Sequence, residues 1–288
     1  MRIAGVDIGG TSIKVGIFED GTLLRKTSAQ TPHGQPQAVC DEIARMLKDE
    51  GVSFVGVGTA GSVSLAEDTV FASNLGWAGV PLRRMLSETL QLPVWVENDA
   101  QAALMAEWMD GACKNSECAL YLTLGTGIGG AMIVGGKPYR GKNNLGAEFG
   151  HMITHAGGPK CGCGRRGCLE YYASATALRR MGGGKSTRDI IHLARSGDPK
   201  MRSVFDRYVR ELALGMNNLI MAYDPEIIVL GGGVSGAGSF LSDACQRELA
   251  RLFSFTTDPL LCQVRIARHQ NDAGIIGAAG LAKTHFLE

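Results

Sequence analysis

Aromatic side chains are scarce, 6% of the 288 residues, and neither sign of charge dominates: 29 basic groups face 28 acidic ones, a net of +1. A surface so balanced excludes the broad basic footprint that nucleic acid or an anionic membrane demands. No apolar run approaches the ~18 residues of a membrane-spanning helix. The start, Met1-Arg2-Ile3-Ala4-Gly5-Val6-Asp7, lacks the apolar core and cleavage site of a signal peptide. The expectation is a cytoplasmic protein with neither a membrane nor a nucleic acid as partner. What is abundant is glycine, 40 residues against a usual share of ~7%. That excess marks turns at which backbone must approach something closely.

A chain of this length buries roughly three-quarters of the surface its unfolded form exposes, so disulfide staples are unnecessary. At ~100–200 residues per domain it divides naturally into two. Five of the eight cysteines (Cys40, Cys113, Cys118, Cys245, Cys262) are scattered through apolar or helical segments, where cysteine acts as a small buried hydrophobe. Cys161, Cys163 and Cys168 crowd together. In a reducing compartment such a cluster points to metal or catalysis rather than to a disulfide.

Apolar patterning alternates strand and helix, the mark of an α/β protein. Residues 2–7 and 13–18 are apolar runs around Gly9-Gly10-Thr11-Ser12, which predicts a hairpin with a glycine turn. Helices are expected at 39–47, 82–90, 98–110, 201–223 and 272–286, and further strands at 52–57, 94–97 and 227–230. Strand, glycine turn and strand recur at 118–134, with the turn expected over Gly125–Gly130. Two similarly built domains follow, 1–113 and 114–271, each opening with its own hairpin.

Two motifs mislead. Gly182-Gly183-Gly184-Lys185-Ser186-Thr187 suggests a phosphate-binding P-loop, but Arg179 stands where the first glycine must be and the preceding segment is helical. Gly125-Thr126-Gly127-Ile128-Gly129-Gly130 matches a dinucleotide fingerprint, yet a strand follows it where that fold needs a helix.

Four segments carry chemistry. In Asp7-Ile8-Gly9-Gly10-Thr11-Ser12-Ile13-Lys14, Gly9 and Gly10 let backbone N–H groups reach phosphate oxygens. Thr11 adds a hydroxyl, Lys14 a positive charge, and Asp7 a carboxylate placed for Mg²⁺, directly or through water; the alternative is an ordinary hairpin with a polar turn. Gly125-Thr126-Gly127 repeats the arrangement. Glu97-Asn98-Asp99 joins a strand to a helix, where a carboxylate serves either as a cap or as a reactive group. His151 with Cys161, Cys163 and Cys168 makes a Cys₃His set suited to structural Zn²⁺, the alternative being three unrelated buried thiols. Gly231-Gly232-Gly233 after an apolar strand is either a flat seat for adenine or ribose or a plain tight turn.

These segments together resemble the ROK family of bacterial sugar kinases, its glucokinases above all, within the actin-like ATPase superfamily. The resemblance runs nearly end to end: Asp7–Lys14 and Leu124–Gly130 are similar to the two phosphate motifs, Gly231–Gly233 to the adenosine segment, and Gly150-His151 with Cys161–Glu170 to the zinc signature. It implies a two-domain actin-like (ribonuclease H-like) ATPase fold with a cleft between domains, the C-terminal helix of about 272–288 completing the first domain, and a homodimer. By the same resemblance Asp99 is the catalytic base, and Asn74, Asn98, Glu148, His151 and Glu170 join it around a hexose. The reaction implied is ATP-dependent phosphorylation of a hexose, foremost the 6-hydroxyl of glucose, with Mg²⁺. N-acetylmannosamine, N-acetylglucosamine, allose and fructose are alternative substrates. A sugar-sensing relative that performs no chemistry is the rival from another class; family repressors carry a preceding helix-turn-helix domain, for which a phosphate strand starting at residue 2 leaves no room.

Overall fold

Ile3, Val6 and Ile8, with Ala4 and Gly5 among them, lie in a segment buried on both faces and form strand β1 (Arg2–Ile8). The computed structural model describes the whole chain apart from residues 65, 144, 145, 253–261 and 288. Two compact units result: Met1–Lys114 with Arg140–Gly146 and Asn271–Glu288, and Asn115–Tyr139 with Ala147–Gln270. Residues 140–146, expected within the second domain, thus group with the first.

In the first unit β1 is followed by β2 (Ser12–Glu19), β3 (Thr22–Gln30), α1 (Pro36–Leu47) and β4 (Val52–Thr59). A small sheet of β5 (Ser62–Ser64), β6 (Thr69–Ala72) and β7 (Trp77–Val80) precedes α2 (Leu82–Leu90), β8 (Val94–Asn98) and α3 (Asp99–Asp110). The main sheet runs β3-β2-β1-β4-β8, with β1, β4 and β8 parallel and β2 antiparallel to both its neighbours, β1 and β3.

The second unit contains β9 (Cys118–Leu124), β10 (Ile128–Val134), β11 (Lys137–Pro138), α4 (Leu169–Ala173), α5 (Ala175–Met181), α6 (Thr187–Arg195) and α7 (Pro199–Tyr223). Strand β12 (Ile227–Gly231), α8 (Ser239–Leu252) and β13 (Gln263–Ile266) follow. Its sheet runs β11-β10-β9-β12-β13, the same order and the same mix of directions as the first. The repeated hairpin is therefore the visible part of a repeated sheet.

The last helix, α9 (Ala273–Leu287), belongs to the first unit and packs on β1, β4 and α3. Its seat depends on missing side chains. A Cβ at Gly5 or Gly56 would overlap the carbonyl of Ile275 or Ala278, and one at Gly277 the carbonyl of Ala102. Ile275, Ala279 and Ala282 fill the interface with Ile3, Phe18 and Phe54.

The second glycine turn is shorter than expected. Ile128 already pairs with Leu124, so only Gly125–Gly127 turn, and Gly129 and Gly130 lie in β10. Gly130 is a strand glycine because the Ala147 carbonyl and the Phe149 ring press against it. Strand β3 is mostly exposed and lacks apolar alternation, which is why its sequence announces nothing. Among the described residues no helix is long and apolar enough to cross a membrane.

Candidate active site

Strand register builds the first edge. Ile8 at the end of β1 is level with Thr59 on β4, and Thr59 with Asn98 on β8. At ~4.8 Å between neighbouring strands, the Gly9 turn and Asn98-Asp99 are about 10 Å apart along one carboxyl edge. Ligands of open α/β sheets bind at that edge. The turn is closed by Gly9 N–H donating to the Ser12 carbonyl (3.0 Å) and the Thr31 hydroxyl to the Gly9 carbonyl (2.7 Å). Thr11 is exposed at its tip. Asn74 lies alongside, its carbonyl oxygen 3.4 Å from where a Cβ on Gly10 would stand.

Lys14 Nζ donates to Asp7 Oδ2 and to the Asn271 carbonyl, both at 3.3 Å, so its charge sits against Asp7. Burial pushes the Asp7 carboxyl above its ordinary range, outweighing the charge and hydrogen bond of Lys14.

At β8 the cap and the carboxylate are separate residues. Asn98 Oδ1 accepts from the N–H groups of Ala100 (2.9 Å) and Gln101 (3.1 Å), making Asn98 the N-cap of α3. Its Nδ2 donates to the Gly61 carbonyl (2.9 Å) and to Asp99 Oδ1 (3.1 Å). Asp99 is thus oriented by its neighbour. Glu97 is 1% exposed and binds Arg140 through Oε2 at 2.7 Å, while its Oε1 accepts from Asn98 N–H at 3.1 Å. Arg140 escapes a reading of the sequence because no spacing links it to a residue 43 positions earlier.

The second unit forms a matching edge. Gly231 is level with Thr123, and Gly232, at φ +78°, brings its backbone against Leu124. Ala175 N–H donates to the Gly125 carbonyl (2.9 Å) and the Thr176 hydroxyl to the Thr126 carbonyl (2.8 Å), so the turn rests on α5. Beside Gly233 opens a cleft of about 330 Å³ lined also by Ile191, His192, Arg195 and Ala237, a size suited to a small molecule. The α6 residues lining it carry no sequence signature.

Glu170 reaches the end of the turn, its Oε2 accepting from Ile128 N–H at 3.0 Å. Glu148 is exposed, and among the described residues its side chain makes no hydrogen bond; its carbonyl accepts from His151 N–H at 3.0 Å.

The structure gathers His151, Cys161, Cys163 and Cys168, whose ligand atoms all lie within 4.8 Å of one another. Cys163 and Cys168 sulfurs are 3.7 Å apart, and Cys161 Sγ is 3.8 Å from His151 Nδ1. Tetrahedral zinc with ~2.3 Å bonds to sulfur places two thiolates about 3.8 Å apart. Burial and neighbouring thiols push Cys168 up to about 12, and burial raises Cys161; the Arg165 backbone N–H holds Cys163 below the usual thiol range. The four side chains together offer a ligand set that could hold a metal ion.

Comparison with known proteins shows the family. A glucokinase of Thermotoga maritima is 34% identical, the alignment covering 98% of each chain. An N-acetyl-D-glucosamine kinase of Shigella boydii is 32% identical over 97% of this chain and 99% of its own. The crystal structure of a ROK family glucokinase from Streptomyces griseus in complex with glucose and AMPPNP superposes with a TM-score of 0.87 at 34% identity, covering 99% of this chain and 100% of that one. The model of the ROK family matches residues 3–285, and this chain belongs to that family, with its actin-like ATPase fold.

Proposed function

We propose that this protein transfers the γ-phosphoryl group of ATP to the 6-hydroxyl of glucose. Membership of the family and chain-long similarity to glucokinases support an ATP-dependent hexose kinase. The observation that carries the catalytic assignment is Asp99: one residue past a strand end, held by Asn98, on the carboxyl edge that also bears the Gly9 turn. Asp99 accepts the proton of the sugar hydroxyl as the phosphoryl group leaves ATP. Asn74 and Asn98 supply amide partners for sugar hydroxyls, and Glu148, His151 and Glu170 further ones.

Backbone N–H groups at Gly10 and Thr11 and at Thr126 and Gly127 bind phosphate oxygens, while Gly9 and Gly125 close the two turns through their own N–H groups; the Gly231–Gly233 segment takes adenosine, with the cleft beside Gly233. Asp7 holds Mg²⁺ with Lys14 beside it; the metal offsets phosphate charge. His151, Cys161, Cys163 and Cys168 hold structural Zn²⁺, which fixes the loops they lie on. N-acetylglucosamine is the second reading, favoured by the 32% identity to a kinase named for that sugar.

A coupled assay over glucose, N-acetylglucosamine, N-acetylmannosamine, allose and fructose tests the substrate. Glucose is expected to give the highest kcat/KM. With 6-deoxyglucose the expected result is competitive inhibition and no phosphorylated product; a phosphorylated product would assign another hydroxyl. For Asp7→Asn we expect loss of turnover with an unchanged or raised Tm, because the amide removes a charge that burial disfavours. A marked fall in Tm would instead make that carboxylate structural.

A further inference from the structure

Glu170 faces two ways. Oε2 accepts from the N–H of Ile128, the residue that ends the Gly125–Gly127 turn, at 3.0 Å. Its Oε1 lies 3.5 Å from the sulfur of Cys161 in the metal cluster. Gly127 makes room for it: a Cβ there would overlap Oε2 and stand 3.0 Å from Cδ of the same carboxylate. The obstructing atoms are the far end of a flexible side chain. An alanine at 127 therefore leaves the turn intact and displaces Glu170. Phosphate binding alone asks for small residues at a turn, but it does not explain a glycine whose missing side chain is replaced by a carboxylate.

We infer that Glu170 is a positioning residue linking the sugar subsite to the phosphate turn, and that Gly127 is glycine in order to admit it. The inference rests on the reading of Glu170 as a sugar ligand. With Oε2 committed to Ile128, the carboxylate offers sugar hydroxyls its remaining lone pairs in one fixed orientation. The same bond holds the Ile128 peptide, and with it the turn, in place before nucleotide arrives. Binding of hexose and nucleotide is then mutually favourable through one side chain, as linkage requires.

The test is titration calorimetry with one ligand at a time: the hexose the wild type phosphorylates best, without nucleotide, and a non-hydrolysable ATP analogue with Mg²⁺, without sugar. Gly127→Ala is expected to weaken hexose binding roughly tenfold, the scale of one hydrogen bond to a charged group. A role confined to phosphate would not move that number. Glu170→Ala is expected to weaken nucleotide binding by roughly threefold or more, whereas Glu170→Gln keeps it near wild type, since the amide oxygen still accepts from Ile128 N–H. Melting curves verify that each sample is folded. Wild-type hexose affinity in Gly127→Ala, or unchanged nucleotide affinity in Glu170→Ala, overturns the coupling and leaves the kinase reading standing. A wild-type protein that phosphorylates no hexose overturns both.

Discussion

Asp99→Asn is expected to lower kcat at least ~10²-fold, within the range of a general base, while sugar affinity changes much less. The separation of roles at the end of β8 makes this substitution clean. Asn98 caps α3, so the helix keeps its start, and an amide oxygen at 99 still accepts from Ala100 N–H where Asp99 Oδ1 does so at 2.8 Å. Asn98 Nδ2 retains an oxygen to bind. What is lost is proton acceptance. Single-turnover kinetics on the variant isolates the chemical step, and turnover near that of the wild type would end the general-base assignment. The complementary change, Asn98→Ala, removes both the cap and the group that orients Asp99; it should lower Tm as well as kcat.

If the proposed zinc is bound, chelation or Cys161→Ser is expected to remove it, lower Tm and raise the sugar KM at least ~10-fold, with the ATP KM affected less. Outer contacts of a metal centre are typically worth ~10–100-fold, and apparent binding energies of structural zinc reach ~10–16 kcal/mol. The geometry explains why sugar should suffer first. His151 presents Nδ1 to Cys161, so a metal in the cluster fixes the ring and thereby its second nitrogen. Cys168 is the N-cap of α4, and Glu170 lies in the first turn of that helix. Two proposed sugar ligands are therefore anchored by the cluster, while the turn at Gly125–Gly127 also rests on α5 through Ala175 and Thr176. Metal content, Tm and both KM values measured on one folded sample decide the matter. A zinc-free enzyme with an unchanged sugar KM would reduce the cluster to a stability device.

Features set by neighbours along the chain were legible where they carried a local pattern, though the exposed β3 did not. Turn glycines at 9–10 and in 125–130 announced both hairpins, because a glycine turn between apolar runs has few other uses, although the second turn proved to end at Gly127. The spacing of Cys161, Cys163 and Cys168 announced a cluster, since such short loops place three thiols together almost regardless of the fold. Asn98 announced the start of α3 because capping involves only the next three residues.

Tertiary structure alone decided the contacts between distant segments. Arg140 neutralises Glu97 across 43 positions, and Asn74 reaches Gly10 only because the small β5-β6-β7 sheet folds back beside the turn. That Lys14 is held against Asp7 follows from the antiparallel register that sets those residues opposite each other on β1 and β2. The seat of α9 needed Gly5, Gly56 and Gly277 to coincide in space, which no local pattern reveals. Likewise Gly127 reads in the sequence as a phosphate-turn glycine, and only packing shows that a carboxylate from α4 occupies the place of its side chain. The physical division is consistent: backbone conformation is set by a few adjacent residues, whereas which side chains meet is set by strand register and by the burial of groups that are far apart in the chain.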